Sequence, residues 1–132
     1  MKIEIVTPYQ NLVSDEAEEV YAQGPKGEFG VLPGYAHYVT PLCVGRLFYT
    51  KQGKRVSFVI DGGLMEVFHD RVTVLADQIE RAENIDAAQA KAEIQKIDHQ
   101  LAHDSLEPQV FDAIVKQRDR EMARLQVAGD KH

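Results

Sequence analysis

The sequence holds a single cysteine, Cys43, among its 132 residues. One thiol cannot close an internal disulfide, which fits a reducing compartment. Set between Leu42 and Val44, it reads as a small buried apolar residue rather than a nucleophile. Long apolar runs are missing too. None approaches the roughly 20 residues that a bilayer-spanning helix requires, so no direct membrane insertion is expected. No charged n-region followed by an apolar h-region opens the chain, so no secretory leader is expected. Positive charge is in deficit: 15 Lys and Arg stand against 21 Asp and Glu, for a net charge of −6. That argues against a nucleic-acid partner, because neutralising phosphates takes clustered Lys and Arg. Hydrophobic residues make up 44% of the chain, an ordinary share from which a core can be built.

Convergent catalytic groups are also lacking. His99 and His103 lie one helical turn apart, but nothing nearby completes a tetrahedral metal set, and both read as solvated surface residues. His37 and His69 have no nucleophile beside them. Asp61-Gly62-Gly63 lacks the Lys-Ser/Thr ending of a phosphate loop. No catalytic residue and no metal ligand is therefore predicted.

Over residues 1–82 the apolar residues recur with the strand period. KIEIVT (2–7) alternates, EAEEVYAQ (16–23) starts acidic and ends as a strand, and GPKGEFGVLPG (24–34) packs tight turns around a short strand. The acidic run Asp15–Glu19 reads as a solvated edge that discourages strand aggregation. Strands are expected over 37–42 and 44–50, then over 54–61 with Val56, Phe58 and Ile60 on one face. Gln52-Gly53 and His69-Asp70 mark hairpins. Gly62-Gly63 suggests a bulge or close backbone approach, and Leu64–Phe68 and Val72–Ala76 close the domain. Short strands with closely spaced turns predict an antiparallel β-sandwich or flattened barrel.

From Asp86 the period becomes helical. Asp86 is a good N-cap, with Gln89 placed as the second member of a capping box. Ile94, Ile97 and Leu101 form one stripe, and the helix is expected to stop near residues 103–105. A second helix admits Pro108 in its first turn and carries Phe111, Ile114, Val115, Met122 and Leu125. The two should fold as an antiparallel hairpin with narrow apolar stripes, marginal alone and hence a movable element. The fold class is thus mainly β plus α: an N-terminal antiparallel β-sandwich (1–83), then a C-terminal two-helix hairpin (84–132). Lys116, Arg118, Arg120 and Arg124 outnumber Asp119 and Glu121, so the second helix is a candidate for docking on an acidic partner or an anionic ligand.

The stretch from Gly27 to Ala36 (GEFGVLPGYA), with Val39-Thr40-Pro41-Leu42 after it, resembles the characteristic loop of the epsilon subunits of bacterial F-type ATP synthases. Val59 to Val67, Val72 to Asp77 and Glu80-Arg81-Ala82-Glu83 are similar to that family's closing hairpin. The resemblance implies a non-catalytic rotor subunit of the central stalk of a proton-translocating complex. Its β domain would bind the gamma subunit and the c-ring. Its helices would lie folded or extend along gamma into the alpha/beta catalytic head, where the extended form obstructs ATP hydrolysis. Lys116, Arg118, Arg120 and Arg124 would then meet acidic segments of that head. A peripheral place at the cytoplasmic face of the bacterial cell membrane is implied as well.

Some bacterial members bind ATP through Ile or Leu, Asp, two variable residues, Arg and Ala. The matching positions are Ile85, Asp86, Ala87, Ala88, Gln89 and Ala90. Gln89 stands where the arginine belongs and cannot offer its charge to a phosphate. Glu80, Asp86 and Ala90 do match, and Arg120 and Arg124 remain as phosphate partners. No cofactor is required, and ATP binding is expected to be weak or absent. The alternative is an ATP-sensing nucleotide-binding module. Tyr35 for a usual histidine and His37 for a usual proline make the loop more polar and less rigid.

Overall fold

Apolar alternation builds two five-stranded sheets in the computed structural model, which describes residues 1–130. Numbered in chain order, the first sheet runs β2 (Asn11–Glu16), β1 (Lys2–Val6), β9 (Arg71–Ala76), β8 (Gly63–Phe68) and β5 (Tyr38–Leu42). The second runs β10 (Ile79–Arg81), β7 (Lys54–Ile60), β6 (Gly45–Lys51), β3 (Glu19–Gly24) and β4 (Gly27–Val31). Between them lie Ile3, Ile5, Leu47, Phe58, Ile60, Met65, Val67, Val72 and Val74, each at most 2% exposed. The expected sandwich and its turns at Gln52-Gly53 and His69-Asp70 are present, the turn residues at positive φ.

Three features differ from the sequence reading. The β1–β9 pair is parallel, Ile3 opposite Val72 and Ile5 opposite Val74; strands at opposite ends of a domain can pair so because the chain between them serves as the crossover. Asn11–Glu16 is a strand, hidden in the sequence by its polar residues. It lies on the sheet edge, where the acidic run was placed, but Asp15 turns inward. It accepts from the Tyr49 hydroxyl at 2.8 Å and from the Lys51 ammonium, tying the two sheets together. The Lys51 hydrogen bond holds the Asp15 carboxyl below its usual range, and burial pushes the Tyr49 phenol upward. Third, Cys43 is exposed, not buried. It follows β5 in a turn whose backbone N–H donates to Gln23 O, at the rim of an open groove.

A 3₁₀ turn (Ala82–Asn84) leads to α1 (Ala87–His103) and α2 (Pro108–Ala128). Asp86 caps α1 as expected, accepting from the Gln89 N–H at 3.1 Å, but among the described residues no reciprocal bond from the Gln89 side chain completes a capping box. Pro108 opens α2. The stripe expected on α2 is displaced: Phe111 and Met122 are 46% and 43% exposed, and the buried residues are Glu121, Ala123 and Val127. The cause is that α2 serves two neighbours. Its length runs beside α1, while its C-terminal half lies on β6 and β7, where small side chains let helix and sheet approach. Phe48, Ser57 and Val59, on the outer face of the second sheet, are covered in consequence.

Candidate functional site

The site is the seam between α2 and the sandwich, and it closes over the junction of the two halves. Its apolar part is small: Val59, Ala82, Ile85, Ala123 and Val127 form one buried cluster. Charge does the rest. Residues four apart on a helix share a face, so Arg120 and Arg124 both look toward the sandwich. Arg120 donates to Asp61, just beyond β7. Arg124 bridges Glu80 on β10, through Nε at 3.0 Å and Nη2, and Glu121 one turn back on its own helix. The Glu121 side chain is only 6% exposed. Burial of the Arg124 guanidinium opposes its charge, but the bonds to Glu80 and the nearby carboxylates outweigh this and its pKa is raised.

The four cations predicted to form one docking face are thus divided. Arg118 forms a two-pronged bond to Asp98 on α1, at 2.6 and 3.4 Å, and stitches the hairpin. Arg120 and Arg124 hold the hairpin down. Lys116 is exposed and has no ion pair among the described residues. Three of the four are already neutralised in this folded arrangement, by acidic partners that sequence spacing could not reveal.

The residues of the nucleotide motif do converge. Glu80, Ile85, Asp86, Gln89, Ala90 and Arg124 line one cleft of about 210 Å³; Arg120 is turned away to Asp61. Glu93 and Glu121, missed in the sequence, line it as well. A signal existed, for Glu93 lies four residues after Gln89 and Glu121 three before Arg124. Glu80, Asp86, Glu93 and Glu121 therefore face one guanidinium that is itself engaged. Four carboxylates and one guanidinium give the cleft an excess of three negative charges, and its volume falls below the roughly 300–1,000 Å³ of ligand pockets.

A second surface lies on the outer face of the first sheet. Pro41 pairs with Leu64, Leu64 with Leu75 and Leu75 with Val6, giving an apolar row across four strands. Leu64 and Leu75 are 40% and 49% exposed, with Val39 close by at 50%. Contiguous exposed apolar surface of this kind marks an interaction face.

A β-sandwich with an apolar outer face and an ion-paired helical hairpin is the architecture of an assembly subunit. Residues 1–82 match the family described as "ATP synthase, Delta/Epsilon chain, beta-sandwich domain". The chain is 40% identical over 129 residues to the ATP synthase epsilon chain of Geobacter sulfurreducens, covering 98% of this chain and 94% of that one. It is 41% identical over 128 residues to that of Geotalea uraniireducens, covering 97% and 93%. The chain belongs to the family of ATP synthase epsilon chains. Its fold is shared, at 18% identity and a TM-score of 0.75, with a chain of the Euglena gracilis mitochondrial ATP synthase (OSCP/F1/c-ring), covering 96% of this chain and 78% of that one. A chain of the Tetrahymena thermophila mitochondrial ATP synthase central stalk and c-ring has a TM-score of 0.64 at 13% identity, with 98% and 96% covered.

Proposed function

We propose that this chain is a non-catalytic rotor subunit of the central stalk of a bacterial F-type ATP synthase, and that its helical hairpin is a releasable brake on ATP hydrolysis. The β-sandwich binds the gamma subunit and the c-ring, with the apolar row through Leu64 and Leu75 as the face for gamma. The complex holds it peripherally at the cytoplasmic face of the cell membrane; no helix among the described residues is long and apolar enough to cross one. The observation that carries the reading is the seam. α2 is held by a few small apolar residues and by ion pairs that can exchange partners, which suits an element that leaves its seat. Once extended, the same Arg118, Arg120 and Arg124, with Lys116, are free to meet acidic segments of the alpha/beta head. The test is a chain ending at residue 83, assembled into the complex. ATP hydrolysis should rise while ATP-driven proton pumping persists; unchanged hydrolysis would remove the brake from the reading.

The acidic cleft argues against ATP sensing as the main output. Calorimetric titration of the full chain with Mg-ATP should show no saturable heat up to about 1 mM, a binding free energy near −4 kcal/mol. Gln89→Arg should add at most weak binding, because Glu93 and Glu121 still face the phosphates. Saturable micromolar binding by the wild type would reinstate the nucleotide-gated alternative.

A further inference from the structure

Just beyond α2, Asp130 reaches back onto the sandwich, and its carboxylate is only 11% exposed. Ser57 Oγ donates to it at 2.9 Å and Arg46 Nη1 at 3.3 Å, while Arg55 Nη1 lies 3.5 Å from its other oxygen. The strand period puts Arg46 and Phe48 of β6, and Arg55 and Ser57 of β7, on the same outer face. Both guanidiniums lie over the Phe48 ring, 4.6 and 4.4 Å from its centroid, which fixes their positions. Helix geometry does not explain Asp130. A carboxylate at a helix C-terminus meets the negative end of the dipole, which is unfavourable. Its place is set by the receptor on the sheet.

That receptor has more to offer than one carboxylate takes. Two guanidiniums present ten N–H donors. Glu28 takes one from Arg46 at 3.4 Å, and Arg46 Nε, though buried, has no partner among the described residues. A cavity of about 410 Å³ opens beside Asp130, lined in part by Lys54, Arg55, Ser57 and Glu83. An oxyanion with more acceptor atoms than a carboxylate matches this arrangement.

We propose that Arg46, Arg55 and Ser57 form an oxyanion receptor on the second sheet, that Asp130 is its built-in occupant, and that a phosphate-type anion competes with Asp130 and so loosens α2. The proposal rests on the hairpin being releasable, as read above. It is tested on the isolated full chain, so that its failure is distinct from failure of the brake in the complex. Hydrogen exchange of the α2 amides and chemical shifts of β6 and β7 are followed while inorganic phosphate is added, with chloride at matched ionic strength as the control. In the wild type, phosphate should speed α2 exchange and chloride should not. Asp130→Asn should speed it about tenfold without phosphate, the equivalent of about 1.4 kcal/mol. The same variant should bind phosphate more tightly than the wild type, with its sandwich melting unchanged. Arg46→Gln combined with Arg55→Gln should lose the phosphate response. Wild-type exchange rates in Asp130→Asn, equal phosphate affinity in the two chains, or a response surviving the double arginine variant would each overturn the proposal.

Discussion

Replacing Arg124 with glutamine is expected to lift α2 off the sandwich and leave the sandwich itself folded. Arg124 is the cation common to Glu80, on the sandwich, and Glu121, on the helix. Without it Glu121 is a buried carboxylate with no counter-charge, and it must be desolvated at a cost, protonate, or leave. Breaking a fully buried pair from one side costs about 3–5 kcal/mol. Here Arg124 is 29% and Glu80 38% exposed, so water compensates in part and about 2 kcal/mol is the expected figure. That is roughly a thirtyfold shift toward the undocked helix. What still holds the helix is the Arg120–Asp61 pair, the Asp130 contacts to Ser57, Arg46 and Arg55, and the burial of Val127, about 1.5–3 kcal/mol, with little from Ala123. The measurement is amide protection in α2 against protection in β6 and β8. Protection should fall in α2 alone. Adding Glu121→Gln should restore much of it, since no orphan charge then remains. Unchanged α2 protection in Arg124→Gln would show that the apolar patch, the Arg120–Asp61 pair and the Asp130 contacts suffice without it. Hydrolysis by the complex is the wrong readout here, because the same arginine is proposed to act again in the extended state.

Most of the strands, the hairpin turns and the two helices were legible because each rests on local chemistry; Asn11–Glu16 and Ile79–Arg81, short and largely polar, were not. Phe58 and Ile60 alternate, Gln52-Gly53 supports positive φ, and Asp86 caps. The seam was legible only in half. Glu80, Asp86 and Arg124 do line one cleft, but the charges that surround them there come from outside the motif. Asp61 and Asp98 answer Arg120 and Arg118 across 59 and 20 residues of sequence, and no periodicity encodes such pairs. The stripe on α2 was misjudged for a related reason. Large apolar residues draw the eye, whereas a helix seated closely on a sheet selects small ones, Ala123 and Val127, and leaves Phe111 and Met122 outside. Cys43 fails the same way: apolar neighbours in sequence do not bury a residue that sits in a turn.

Gly63→Ala should be the most destabilising small substitution in the sandwich. Gly62 and Gly63 carry the chain from β7 in one sheet to β8 in the other, at φ +86° and +150°. A Cβ on Gly63 would lie 2.3 Å from the Leu75 carbonyl oxygen and 3.1 Å from Ala76 Cα, both backbone atoms within the paired β9 strand. Strain at such a φ costs about 1–3 kcal/mol and forced overpacking about 1–3 more, against total stabilities of about 5–15 kcal/mol. With an m-value near 2 kcal/mol/M, the urea midpoint should fall by about 1–3 M. Gly53→Ala is the matched control. Its φ is +76° but nothing lies within 4 Å of the added methyl, so only the strain remains. Equal midpoints for the two variants would mean that the close approach to Leu75 is relieved at little cost. The effect should also reach the helices. Asp61 N–H donates to Gln78 O at 3.0 Å and Asp77 N–H to Gly62 O at 3.2 Å, so this crossing holds Asp61 where Arg120 finds it. A shift of the crossing therefore loosens α2 as well, and its amides should lose protection at denaturant concentrations where the sandwich is still folded.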